Sequence, residues 1–337
     1  MRKIIIEKPK YCEELYDPFF NNNTYTEPEI FNKYINNCFI SYNSIVLKNY
    51  IFLENDSIYE YKGHKKIFCK KVYEQFFHSV ILKKTPLLRI NEPAFIITQP
   101  WINYYHWILE SLPRLIQLKD YWGTHSLIIQ RNIYEIPYVK QTLKLFDDIK
   151  IIIPENETNL FVKELILPNL RKDCYKYNIE LLEKTRDEIF KSFNIVEKTP
   201  TEKNFIIRKK AKYRTIDNFR EIEKVVKEYG FKIVDFEDYS IIDQIKIINN
   251  SSHLIAQHGA GLTNILFMQK GMKIMELAKK ITNKNDHFSL VYWSLASAME
   301  LEYYNMFCDP VNEEDDFFKA SINVNLEEFI TILGKFN

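Results

Sequence analysis

The sequence predicts an α/β protein of two domains built on largely parallel sheets, and three observations carry that expectation. From Ser126 onward, short apolar runs alternate with amphipathic stretches in the order strand, helix, strand. A polar segment bearing a proline, Val196-Glu197-Lys198-Thr199-Pro200-Thr201-Glu202-Lys203, interrupts the series and reads as a linker. Farther on, an apolar run (Leu254 to Ala256), a His-Gly-Ala-Gly turn and a second apolar run (Leu262 to Met268) follow one another. That is the order of a strand, a glycine turn and a helix start. At 337 residues a single core is not expected. The boundaries read as an N-terminal domain over 1–195, a linker over 196–203, and a C-terminal domain over 204–337 whose last helix could pack back on the first.

Within the first hundred residues, Phe39 to Leu47 and Tyr50 to Leu53 suggest a hairpin, and Ala94 to Thr98 a further strand. No chemistry is assigned there. Next come strands at Leu127 to Ile129, Ile149 to Ile153 and Lys163 to Leu167, with helices over Pro137 to Phe146 and Asn178 to Phe193. The second series starts with Phe205 to Ile207, a strand ending at Arg208. Asn218 with Glu221 suggests a capping box for a helix running to Gly230. Phe231 to Phe236 reads as a strand, Ile241 to Ile248 as a helix, and Lys273 to Leu277 as the strand after the glycine turn. A strand at Tyr303 to Phe307 and a final helix capped near Asn325, with Glu328, complete the chain.

Composition narrows the function classes. Charges nearly cancel, with 46 basic and 45 acidic residues, so nothing in bulk favours nucleic acid. The five cysteines are scattered, odd in number and without a Cys-x-x-Cys pair, which argues for free thiols and against a cysteine zinc site. No run approaches the roughly 18 apolar residues of a membrane span, and the N-terminus lacks a signal-peptide pattern. The expectation is a cytoplasmic protein, with peripheral membrane attachment and oligomeric state left open.

Two stretches carry chemistry. On a helix of about 100° per residue, Asn103, His106, Glu110 and Arg114 fall within roughly 80°, flanked by Trp101 and Trp107. An amide, an imidazole, a carboxylate and a guanidinium on one face suit a cleft, and a carboxylate one turn from a histidine can hold a proton acceptor. The plainer alternative is a buried polar network. Pro113 implies a kink or a helix restarting at Leu112. The second stretch, His258-Gly259-Ala260-Gly261-Leu262-Thr263-Asn264, is suited to an anion: glycines admit close backbone approach, and the first-turn N–H groups point at the ligand. A dinucleotide fingerprint would need a third glycine where Asn264 stands. An esterase oxyanion loop would need a Gly-x-Ser-x-Gly elbow, which the chain lacks. A phosphate or nucleotide-sugar turn stands against a tight structural turn with a core histidine. Arg208 falls at a strand's carboxyl end on the same rim as His258, where Glu276 also ends its strand. Lys209, Lys210 and Lys212 read as a solvated basic loop.

With both stretches placed, the sequence resembles glycosyltransferase family 61. Asn103-Tyr104-Tyr105-His106-Trp107-Ile108-Leu109-Glu110 matches the family's Asn-x-x-His-x-x-x-Asp/Glu, with Leu-Pro-Arg after it. A second block holds Arg208, Arg214, Asn218, Asp243-Gln244, His258 to Asn264, Phe267, Gly271 and Glu276-Leu277. The resemblance implies a GT-B fold, two Rossmann-like domains facing a central cleft, and inverting, metal-independent transfer from a nucleotide sugar, a UDP-sugar above all, to a glycan hydroxyl. It implies no resident cofactor. In that reading Glu110 is the base with His106 orienting it or serving as the base itself. Arg208, Arg214, His258, Gly259, Ala260, Gly261 and Asn264 hold the diphosphate, Glu276 takes the ribose hydroxyls, and Asn103, Arg114 and Trp101 line the acceptor side. The donor sugar, acceptor and linkage depend on loops such as Asn169 to Tyr175 and Asn285 to Trp293, whose shapes are not legible. A non-catalytic nucleotide-sugar-binding partner in polysaccharide assembly is the rival reading, and a nicotinamide-dependent oxidoreductase a third.

Overall fold

The structure, a computed structural model, describes residues 2–21, 23–53, 57, 64–169, 173–209, 211, 213–283 and 288–337. Lys210, Lys212, 170–172 and Asn285, Asp286 and His287, all named above, lie outside the described residues. The chain forms two compact units, Pro28–Phe193 and Met1–Glu27 with Asn194–Asn337. Mixed α/β architecture is present in both.

In Pro28–Phe193 the main sheet runs in the order Ile51–Phe52, Val46–Lys48, Asn32–Ile40, Asn159–Pro168, Ala94–Phe95, Ser126–Ile128, Lys150–Ile152. The last four strands are mutually parallel, and the first three pair antiparallel. The expected hairpin is therefore three strands. The chain turns at Ser41–Ser44, where the Ser44 N–H bonds the Ser41 carbonyl and Ser44 is left-handed, so Phe39 to Leu47 cannot be one strand. Asn159–Pro168 lies centrally because it is long and apolar on both ends, with Leu160, Val162, Leu165 and Leu167 all buried. Behind it Asn178 caps the helix Ile179–Ser192 by accepting from the Leu181 N–H at 2.9 Å.

The other unit is a doubly wound sheet. Five parallel strands lie in the order Lys232–Asp235, Glu202–Ile207, Ser251–Gln257, Lys273–Lys279, Glu302–Pro310, and Ile322–Asn323 joins antiparallel at the end. Helices Phe219–Glu228, Ile241–Asn249 and Val291–Ala298 make crossovers. Strands buried on both faces read as unbroken apolar runs, as Leu254-Ile255-Ala256 and Ile274-Met275 do. Strand order reverses between Glu202–Ile207 and Ser251–Gln257, the point where such sheets leave a crevice at their carboxyl ends.

Two boundary expectations change. The first 27 residues belong to this unit: Lys10 N–H bonds the Tyr303 carbonyl, Tyr11 bridges Tyr304, Tyr16 stacks on Phe307 at 3.8 Å, and Phe20 meets Trp293 edge-on. The last helix, Leu326–Phe336, capped by Asn325 on the Glu328 N–H, buries Phe329, Ile332, Leu333 and Phe336 in the same unit's core. The linker ends early too, since strand Glu202–Ile207 starts inside it. The capping box at Asn218 does not form. Its side chain instead clasps Val324, accepting from the N–H and donating to the carbonyl.

Candidate active site

The crevice at the reversal holds a cavity of about 360 Å³. Its walls carry Arg208 and Lys209 from the end of the first strand, Asp235 and Glu237 from the end of the second, Gly259 and Gly261 from the turn after the third, and Arg214. Phe219 and Phe236 add ring surface. Two guanidinium groups thus face one space. Burial, and then the neighbouring Arg208 charge, lower the pKa of Arg214. Arg214 Nε is buried and finds no hydrogen-bond partner among the described residues, and its backbone is left-handed at φ 58°, which non-glycine residues rarely adopt.

Gly259 is extended at φ 165°, a shape any residue takes, and a Cβ there would lie 3.4 Å from Arg214 Nη1, at ordinary contact distance. The segment after it, Ala260–Phe267, is a 3-10 helix rather than an α-helix. Its first N–H groups lie beside the cavity wall that Gly261 forms.

His258 follows the end of strand Ser251–Gln257, and Glu276 lies in the middle of the neighbouring strand Lys273–Lys279. Glu276 is fully buried, and both oxygens are committed: Oε1 lies 2.5 Å from His258 Nδ1, and Oε2 accepts from the Tyr303 hydroxyl at 2.6 Å. Asn305 Nδ2 in turn donates to the Tyr303 oxygen. Burial, followed by the Glu276 charge, pushes the Tyr303 phenol well above its ordinary range, so it remains a donor. Glu276 thus holds His258 on one oxygen and Tyr303 on the other. Asn264 is likewise buried and donates to Gln244 Oε1 at 3.2 Å, tying the turn to helix Ile241–Asn249 rather than reaching the cavity.

In the other unit, the helical run from Tyr104 to Gln117 is α, then π over Trp107–Ser111, then α again from Leu112. The restart puts Pro113 in the first turn, where its missing N–H costs nothing. Glu110 sits on the π turn, buried, with Oε2 2.7 Å from His106 Nδ1, and Gln99 Nε2 donates to the same oxygen. The His106 side chain is 12% exposed against 2% for Glu110. Trp101 packs near the His106 ring at 6.3 Å and edge-on to Phe68. Asn103 is exposed, and Arg114 lines a small cavity together with Glu110. Asn103 caps the helix by accepting from the His106 N–H, and buried Arg114 donates to the carbonyls of Ile97 and Pro168, tying together the carboxyl ends of two parallel strands.

Sequence reasoning missed Gln99, Tyr303 and Asp235. Asp235 ends its strand as Arg208 does, so the strand-end rule could have found it; its two oxygens accept from the Lys209 and Glu237 N–H groups. Nothing local marks Gln99 or Tyr303.

A doubly wound unit with a crevice at its strand-order reversal, and a unit carrying a His–Glu pair on a helix that follows a parallel strand, define an α/β protein of the kind that takes ligands at its strand ends. Comparison with known proteins narrows this. The family model for Glycosyltransferase 61 matches residues 104–275, and the chain belongs to that family. It is similar to the EGF domain-specific O-linked N-acetylglucosamine transferase of Rattus norvegicus, 28% identical over 65% of this chain and 45% of the relative. The Bos taurus counterpart is 29% identical over 56% of the chain and 41% of the relative. The Mus musculus protein O-linked-mannose beta-1,4-N-acetylglucosaminyltransferase 2 is 30% identical over 30% of the chain and 18% of the relative. The chain spans less than half the length of these curated relatives.

Proposed function

We propose that the chain is an inverting glycosyltransferase that moves a sugar from a UDP-sugar to a glycan hydroxyl without a metal. The observation that carries this reading is the pair Arg208 and Arg214 on one cavity, beside the N–H groups of the glycine turn, in a chain of this family. A leaving diphosphate gains charge as the anomeric C–O bond breaks, and without a cation those groups must take it up. His258, oriented through Nδ1 by Glu276, offers Nε2 to the same anion. Phe219 and Phe236 offer ring faces for the base.

At the other end of the reaction the acceptor hydroxyl attacks the anomeric carbon opposite the diphosphate and gives up its proton. The sequence reading assigned that proton to Glu110. The relative exposure of the pair favours His106 Nε2 as the base, with Glu110 holding Nδ1 and stabilising the imidazolium. The GT-B arrangement is part of this proposal, and a donor-bound crystal structure tests it.

The relatives' names make UDP-N-acetylglucosamine the first donor to try. A thermal-shift screen of nucleotides and nucleotide sugars, followed by product analysis with the best donor in the presence of a chelator, tests the whole reading. Glu110→Gln is expected to lower transfer by about 100-fold or more while UDP still binds. Binding without transfer or donor hydrolysis across a broad acceptor panel would instead mark a non-catalytic partner. Protection by a dinucleotide and by no nucleoside diphosphate would mark an oxidoreductase.

A further inference from the structure

The segment from Lys65 to Lys84, to which the sequence reading gave no chemistry, is strongly basic. Residues 64–84 carry six lysines against one glutamate, a local +5 in a chain whose formal net charge is +1. Helix His64–Phe76 continues through a π turn, Phe77–Ile81. Its inner side is anchored: Val72 is fully buried against Phe39, Ile45 and Leu47, with Phe68, Phe76 and Val80 packed around them.

The outer side does not match an ordinary solvated helix. Ile67, Phe77 and Ile81 are 50%, 49% and 57% exposed, interleaved with exposed Lys66, Lys70 and Lys71. All six are exposed where Val72 is buried, so they lie away from the anchored side. The apolar area continues sideways: Tyr73, itself exposed, donates its hydroxyl to the Tyr50 carbonyl, and Tyr50 and Ile51 are 73% and 64% exposed. Contiguous apolar surface of this kind, rimmed and interrupted by lysine, marks an interaction face.

We propose that this face docks on an anionic lipid surface. Charge and shape agree on that partner. Ile67, Phe77 and Ile81 can enter the headgroup boundary while the flexible lysine stems carry their ammonium groups back to lipid phosphates. Neither signal suffices alone: a few apolar side chains give weak, reversible attachment, and lysines alone are screened by salt within about 10 Å. The attachment is peripheral, since no helix among the described residues is long and apolar enough to cross a membrane. The inference is independent of the transferase reading.

The test is co-sedimentation of the full chain with phosphatidylcholine vesicles and with vesicles containing about one-third phosphatidylglycerol, where lysines near such a surface each add roughly fivefold. The expected result is binding to the anionic vesicles only, weakened by salt. Lys70→Glu with Lys71→Glu should lower it by at least about tenfold. Phe77→Ser with Ile81→Ser should do the same without changing net charge. Circular dichroism confirms that each variant is folded, and the charge reversals alone decide the matter if the serine variant is not. No pelleting of the wild-type chain with anionic vesicles at low salt overturns the proposal. So does pelleting that both variants leave unchanged. Self-association in sedimentation velocity that Phe77→Ser abolishes, with no vesicle binding, would assign the face to a second copy instead.

Discussion

Glu276→Gln changes one proton's worth of charge at the best-defined buried contact in the molecule. The carboxylate is fully buried and serves two partners, His258 Nδ1 at 2.5 Å and the Tyr303 hydroxyl at 2.6 Å. A glutamine has one acceptor oxygen, so its NH2 must face either the imidazole or the phenol. The charged hydrogen bond to His258 is lost in either orientation, and such bonds contribute about 1.5–3 kcal/mol. If His258 meets the donor diphosphate as proposed, UDP affinity should fall about tenfold to 100-fold once its orienting partner is weakened. Uridine, which lacks the diphosphate, should bind as before. Tyr303→Phe supplies the contrast. It strips a partner from Glu276 and leaves Asn305 unanswered, costing about 1–3 kcal/mol in a urea titration, with UDP affinity within about threefold of wild type. Isothermal titration of UDP and uridine against both variants decides the question. Equal losses for UDP and uridine in Glu276→Gln would refute the positioning argument and restore a ribose contact.

Arg214→Ala should weaken UDP binding by about tenfold to 100-fold, as removal of a charge-assisted hydrogen bond to phosphate does, while raising stability at low salt because Arg208 loses a like-charged neighbour; titration and thermal melts read the two effects. Arg114→Met should cost at least about 2 kcal/mol, since it leaves the carbonyls of Ile97 and Pro168 without their donor, and retention of full stability would show that the guanidinium belongs to substrate instead. His253 predicts an acid-sensitive core. Burial, then Lys273 and Lys203, lower its pKa from an ordinary 6.5 to about 4, so the folded state keeps it neutral. Its contribution is complete above pH 6.5 and lost as pH falls toward 4, because the unfolded chain takes up the proton first. His253→Phe should flatten that part of the stability profile, and an unchanged slope between pH 6.5 and 4 would count against it.

Most of the alternation from Ser126 onward was legible because strands buried on both faces must be short continuous apolar runs, and the helices between them must carry a polar side. The same logic located Arg208 at a strand end. It failed where long-range pairing decides. Asn218 has the spacing of a cap, but its amide finds both backbone groups of Val324, more than a hundred residues away, and bonds those instead. A uniform α-helix was expected through Asn103 and Arg114, and the π turn at Trp107–Ser111 between them changes the spacing. Glu276 shows the limit most plainly. Placed by the sequence at a strand's carboxyl end, it suggested a ligand contact, yet Tyr303 on the neighbouring strand, invisible to local pattern, claims its second oxygen.

The pairing of Lys10 and Tyr11 with Tyr303 and Tyr304 has a consequence for synthesis. Residues 28–193 can collapse while the ribosome is still at work, whereas residues 2–27, paired with each other along Lys3–Ile5 and Thr24–Thr26, must wait for the strand they pack on, translated almost three hundred codons later. During that interval Tyr16 and Phe20 lack Phe307 and Trp293, the rings that cover them, which makes this segment a point of chaperone capture.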